Sequence, residues 1–229
     1  MVLPITKRSI LRRMMLLEKL RTPLLITISV VLVAILVAIP FPFVTPSCYG
    51  LSALLLLLLA VAVAVYHRGE GAKAAAVFAA IGIMGWIVDV FAVKTGVVFG
   101  EYAYGPSLGV RLLDVPVIMT VYWAFVAYLG YSVAAPIDNP TRRAVAAAGS
   151  MVLFDIIFEP AAGRLGLWQF HDNHVPMQNY IFWFVFGYLF MLLIRKSRIS
   201  FGNSLATPLY WMLVVFCLVL DFVLFIFKS

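Results

Sequence analysis

Residues 22–66 contain no Asp, Glu, Lys or Arg. An uncharged run of that length is too long for the core of a soluble domain and reads as membrane-spanning helix. The rest of the chain agrees, since 64% of its 229 residues are apolar and 12% are charged. A soluble domain carries roughly 25% charged residues. Seven apolar segments can be laid out, at about 22–41, 49–66, 73–93, 115–135, 143–160, 177–194 and 206–227. Each is near the ~20 residues that a helix needs to cross the hydrocarbon core. Backbone groups in lipid must pair within their own segment, so runs this long read as helices rather than barrel strands. The expected architecture is an all-α, polytopic membrane protein. It has a basic arm over 1–21 and one transmembrane helical domain over 22–229.

The Lys and Arg residues orient this layout. The N-terminal arm holds Lys7, Arg8, Arg12, Arg13, Lys19 and Arg21, and the second, fourth and sixth connections hold Arg68, Lys73, Arg142, Arg143, Arg195, Lys196 and Arg198. Thirteen of the 17 basic residues therefore lie on one side of a seven-span layout. Lys94, Arg111, Arg164 and Lys228 lie on the other. The positive-inside rule puts the N-terminus in the cytoplasm and the chain in the cell membrane. The net charge of +7 is then cytoplasmic loop bias rather than a nucleic-acid footprint. The basic start runs into a span of full length with no small-residue cleavage site, so it reads as retained, not as a cleaved signal. Cys48 near a helix end and Cys217 within a span form neither a disulfide framework nor a metal site.

Two outer connections are long and rich in Gly and aromatics: "KTGVVFGEYAYGPSLGVRLLDVP" (94–116) and "AAGRLGLWQFHDNHVP" (161–176). Each follows a helix whose outer end carries acid, Asp89 in one case, Asp155 and Glu159 in the other. Each ends in Val-Pro, and a Trp follows after six residues, giving the pairs Pro116/Trp123 and Pro176/Trp183. The two units form a weak internal repeat of parallel sense. Such repeats often place a site at their interface, which points to spans 3–6 as the functional core. Interfacial girdling is the plainer explanation for any single Tyr or Trp in these loops.

The sharpest feature is Asp155 and Glu159, four residues apart in the last turns of span 5. That spacing puts both acids on one helix face. Ionisable groups inside a span are rare and are functional candidates by default. The structural alternative is ion pairing, Asp89 with Lys94 and Glu159 with Arg164. Desolvation and mutual repulsion oppose ionising two neighbouring carboxyls together. One can therefore stay protonated at neutral pH and serve as a general acid. His171, Asp172 and His174 share the second loop, but no further Cys or His completes a zinc set. A retinal-binding reading of seven helices would need a Lys within the last span, and Lys228 stands only at its tip.

These residues resemble a known family, the CruF-like carotenoid-biosynthesis membrane proteins, which are carotenoid hydratases. The first block of likeness is Thr95, Gly96, Phe99, Gly100, Tyr102, Tyr104, Leu108, Gly109, Val115, Pro116 and Trp123. The second is Asp155, Glu159, Pro160, Trp168, Val175, Pro176, Asn179 and Trp183. Together they span about residues 82–190. The chain departs from the family pattern at Asp89, where Glu is usual, and at Asn173-His174 before the second Val-Pro. The resemblance implies that water is added to a terminal C=C bond of a linear carotenoid held in the bilayer. Other carotenoid-biosynthesis enzymes are possible partners. Asp155 or Glu159 would protonate the alkene, and Asp89 or Glu101 would deprotonate the attacking water, which Asn179 could hold. Tyr102, Tyr104, Trp123, Trp168 and Trp183 could stabilise the carbocation by cation–π attraction. No cofactor or metal is required.

Three other readings stay open at this stage. A carotenoid cyclase begins with the same protonation and excludes water. An intramembrane prenyltransferase would use Asp155 and Glu159 to hold Mg²⁺, although a second Asp-rich motif is missing. A proton-coupled carrier would use Asp89, Asp155 and Glu159 as its relay and should contain broken helices at mid-membrane.

Overall fold

A computed structural model of the chain describes residues 7–41, 50–171 and 174–227, with 7–11 as helix backbone alone. Cys48, Asp172 and Lys228 lie outside the described residues. Helices are seven among the described residues: α1 (Lys7–Ala38), α2 (Leu51–Tyr66), α3 (Gly71–Thr95), α4 (Met119–Ala134), α5 (Pro140–Arg164), α6 (Met177–Ser197) and α7 (Ala206–Phe227). Five are long and apolar enough to cross a membrane, whereas α2 and α4 are 16 residues each.

The helices run further than the hydropathy limits. The helix α1 begins at Lys7, so the basic arm is its first four turns rather than a separate segment, and it passes through Pro23 without ending. The helix α5 continues through Pro160 to Arg164. Proline there removes one backbone donor, but it does not end the helix, and Asp155 and Glu159 stay on one continuous face. Local chemistry sets other ends. Asn139 caps α5, its side chain accepting from the backbone N–H groups of Thr141 and Arg142 at 3.0 Å each, with Pro140 in the first turn. Gly96 ends α3 in the left-handed conformation (φ 66°).

The core lies among α3, α4, α5 and α6, with α7 against α4 and α5. Small residues allow close approach: Gly130 faces the carbonyl of Ala147, and Gly187 faces Ala148 and Met151. The outward faces remain apolar, with Val30, Val37, Ile87, Ile181 and Phe222 exposed, as lipid contact requires.

The two ends of the bundle differ. At one end stand Arg13, Arg68, Lys73, Arg142, Arg143, Arg195 and Arg198, where Glu18 pairs with Arg68 and Arg68 bridges to Gly202. There His67 Nδ1 and Tyr128 Oη share a hydrogen bond of 2.8 Å, and Asn203 donates to the same phenol. The opposite end is roofed by the two Gly-aromatic loops, which pair with each other. Strand β1 (Tyr102–Tyr104) and β4 (Trp168–Phe170) are antiparallel, with Tyr102 opposite Phe170, Ala103 opposite Gln169 and Tyr104 opposite Trp168. Backbone bonds from Gly105 to Leu167 and from His171 to Glu101 extend the ribbon. A second ribbon, β2 (Arg111–Leu112) with β3 (Val115–Pro116), turns through Leu113 and Asp114, both at positive φ. Such a pair of φ values belongs to a tight hairpin turn.

The ribbons depart from an all-α expectation, though the membrane-length elements are all helical. Pairing between β1 and β4 joins loops separated by a whole helix pair, so no local hairpin signal announces it. The ribbon is also symmetric about Ala103 and Gln169, 66 positions apart (103 to 169). The same offset relates Asp89 to Asp155 and Gly100 to Gly166, two glycines at positive φ. The loops of the two repeat units thus pair directly with each other.

Gly105 lies so close to the carbonyl of Gly166 that a Cβ there would overlap it. Replacing Gly105 by Ala should separate the two loops and destabilise the detergent-solubilised protein by about 1–3 kcal/mol. Equilibrium unfolding measures this, and unchanged stability would mean that the ribbon does not hold the loops together.

Candidate functional site

Three carboxyls meet beneath the roof. Asp89 comes from the C-terminal part of α3, and Asp155 and Glu159 come from successive turns of α5. They are 2%, 1% and 7% exposed, which is unusual for acids unless they are paired. None is paired with a cation among the described residues. Lys94 reaches Asp114 (3.6 Å), and Arg164 bonds the backbone carbonyl of Asp221 (3.2 Å) and lies over Phe225. The ion-pairing alternative is thus overturned for both Asp89 and Glu159.

Neutral donors take the place of cations. Trp123 Nε1 donates to Asp89 Oδ2 at 2.8 Å, and the Tyr102 hydroxyl donates to Asp89 Oδ1 at 3.3 Å. Trp168 Nε1 donates to Glu159 Oε2 at 3.0 Å. Asn179 Nδ2 donates to Asp155 Oδ2 at 2.8 Å. Each acid on one repeat unit thus has a dedicated donor from the loop or helix that follows. Burial, followed by the neighbouring Asp89, pushes the Tyr102 and Tyr104 phenols well above their usual value, so both remain protonated.

The acids line one cavity together with Phe99, Tyr102, Tyr104, Met119, Tyr122, Trp168, Phe170, Asn179 and Trp183. Its volume is about 20 Å³, room for one water molecule. Aromatic rings close the walls. Trp123 and Trp183, the repeat-related pair, stack at 4.2 Å with 21° between their planes. Gly85 lies directly against the Trp123 ring, where any Cβ would collide. A larger apolar crevice of about 660 Å³ lies on the other face of α4, against Thr120, Val121, Ala124, Phe125 and Tyr128. The helix α4 separates the two spaces.

Of the residues singled out from sequence, Asp89, Asp155, Glu159, Tyr102, Tyr104, Trp168, Asn179 and Trp183 line this cavity. Trp123 stands just behind it and holds Asp89. Glu101 does not join them, because it is exposed on the roof and outside the lining. Its neighbour Tyr102 turns inward instead, as alternation along a strand requires. Asn179 spends its amide N–H on Asp155, which makes it a holder of that acid. His171 and His174 are both exposed. Tyr122 is the residue that sequence reading missed. Its hydroxyl is buried with no hydrogen-bond partner among the described residues, and so is Asp155 Oδ1. The available signal was its place beside Trp123 in the helix that follows Val-Pro.

With this geometry in place, the chain's relatives can be compared. Residues 49–228 match a family described as carotenoid biosynthesis protein, and the chain belongs to that family. Among curated proteins, the chain is similar to a bisanhydrobacterioruberin hydratase of the archaeon Haloarcula japonica. The two are 29% identical over 136 residues, covering 53% of this chain and 44% of the relative. The chain thus aligns with less than half the length of that protein. No solved structure matches.

Trp123→Phe keeps most of the ring stack and removes the indole N–H, leaving a buried Asp89 oxygen without its donor. A loss of about 1–3 kcal/mol in unfolding free energy is expected. Trp123→Phe combined with Asp89→Leu should recover part of it, and no recovery would mean that Trp123 acts through packing alone.

Proposed function

We propose that this chain is a carotenoid hydratase, adding water to a terminal C=C bond of a linear carotenoid without a cofactor. The observation that carries this reading is the cavity. Three buried carboxyls with only neutral donors surround room for one water, at one end of an apolar bundle. The relative's activity on bisanhydrobacterioruberin supports the same class of chemistry. A linear carotenoid is about as long as the hydrocarbon core is thick, roughly 30 Å, so its end reaches the depth of these acids.

In this reading Asp155 is the general acid. Asn179 engages one of its oxygens and leaves Oδ1 free to carry a proton toward the alkene. The π pair takes that proton and leaves a tertiary cation facing the Tyr104, Trp168 and Trp183 rings. Water forms the C–O bond and gives its proton to Asp89, whose two oxygens both accept hydrogen bonds and which therefore suits the carboxylate form. Glu159, beside Asp155, holds the site's charge near that of a shared proton. Proton exchange among the three carboxyls restores the acid. An isoprenoid end is larger than 20 Å³, so the pocket widens to admit it.

We further read the seven helices as seven spans with the N-terminus in the cytoplasm and the acid pocket near the outer face. The concentration of basic residues at the end away from the roof supports this orientation. Val110 on the roof and Glu70 at the basic end are both exposed. In a variant with both native cysteines replaced by Ser, a Cys at 110 should react with an impermeant thiol reagent on intact cells. A Cys at 70 should react only after lysis, and the reverse pattern would invert the topology.

The activity test uses cells that accumulate a linear carotene. Expression should add the mass of one or two waters to the extracted pigment. Asp155→Asn and Asp89→Asn should each lower turnover by on the order of 10²–10⁴ while folded protein persists. An unchanged mass with a shifted absorption spectrum would indicate ring closure instead. Product that appears only with Mg²⁺ and a prenyl diphosphate would indicate prenyl transfer.

A further inference from the structure

We propose that Tyr122 positions the nucleophilic water, a role that rests on the hydratase reading above. Among the residues lining the cavity, two present buried polar atoms with no protein partner, the Tyr122 hydroxyl and Asp155 Oδ1. Buried polar atoms are nearly always satisfied by protein or by an ordered water. A single water in a space of about 20 Å³ can meet both. Three hydrogen bonds already join other polar groups of the lining. Trp168 is bound to Glu159, Asn179 to Asp155, and Tyr102 to Asp89.

The Tyr122 ring is held in place by the aromatic rings around it. Trp183 meets it edge-on at 6.1 Å and 83°, Trp168 lies at 6.0 Å, and Phe158 at 6.4 Å. The residue comes from α4, whereas the acids come from α3 and α5, so it can stand beside the reacting carbon without competing for either proton. Its phenol accepts one hydrogen of the water, which aims an oxygen lone pair at the cation. The water proton released on C–O bond formation passes to Asp89, as above, and Tyr122 undergoes no net proton change.

This division of labour has a distinctive consequence. Protonation by Asp155 does not need Tyr122, but capture of the cation does. A cation that is not captured returns a proton from the neighbouring carbon and regenerates an alkene. Run in D₂O, that return leaves deuterium in the recovered carotene. The ratio of deuterium exchange to alcohol therefore reads capture separately from protonation.

The experiment compares wild type with Tyr122→Phe and Tyr122→Met in membranes supplied with a linear carotene in D₂O. Phe keeps the ring, and Met fills the space with a flexible apolar chain. Each variant should raise the exchange-to-alcohol ratio about tenfold, the factor expected for one lost hydrogen bond. Either variant alone decides the matter if the other is not recovered folded. A ratio equal to wild type, with exchange and alcohol falling together, would show that Tyr122 serves only packing or protonation and would overturn the proposal. Wild-type protein giving neither exchange nor alcohol with any linear carotene would remove the hydratase reading, and this inference with it.

Discussion

The structure depends on how three carboxyl groups are kept in an apolar bundle without cations. Burying a polar group with no partner costs several kcal/mol, and a bare charge costs more. Here each acid receives a neutral N–H or O–H, from Trp123 and Tyr102, from Trp168, or from Asn179. Indole and amide donors satisfy an oxygen without fixing the group as an anion, as a Lys or Arg would. A carboxyl held this way can gain and lose a proton. That property is what alkene protonation demands, and an ion-paired acid would not have it.

The donors have to arrive from outside the helices that carry the acids, and the roof makes this possible. Tyr102 and Trp168 are on the two strands of one ribbon, so each loop holds its donor in place through the other loop. Gly105 lets the backbones meet, and Gly100 and Gly166 supply the positive φ values that turn the chain into the ribbon. Each acid takes its donor from its own unit, and the pairing of the two loops holds Tyr102 and Trp168 in one ribbon. Trp123 and Trp183 stack below the roof. The two units contribute unequally to the pocket, with one acid on α3 and two on α5. In the proposed hydratase reading, that inequality supplies a donor and an acceptor of protons in different environments.

Much of this was legible in the residues. The uncharged stretch from 22 to 66 specifies helices before any contact is known, because lipid offers no backbone partner. Asp155 and Glu159 face one way by helix geometry alone, and both do line the cavity. The Val-Pro…Trp repeat pointed to spans 3–6, and α3–α6 do pack against one another. Other features were not legible. Lys94 and Arg164 were the sequence-near partners for Asp89 and Glu159, yet both cations turn away to other groups. Glu101 and Tyr102 are adjacent, and only pairing with Phe170 decides which of them points inward. Beyond its place beside Trp123, nothing in the sequence set Tyr122 apart, and only the cavity shows its unpartnered hydroxyl in the same lining as Asp155.

Composition and periodicity determined the helical class, the number of apolar segments, the asymmetry of charge and the helix that carries the acid pair. These follow from interactions within a segment or between a segment and its solvent, and both can be read along the chain. The tertiary structure decided which donor meets which acid, the ribbon between the loops, the exclusion of Glu101 and the space for one water. Those depend on contacts between residues dozens of positions apart. Their geometry is set by the packing of α3–α6 against one another and is not encoded at any single stretch.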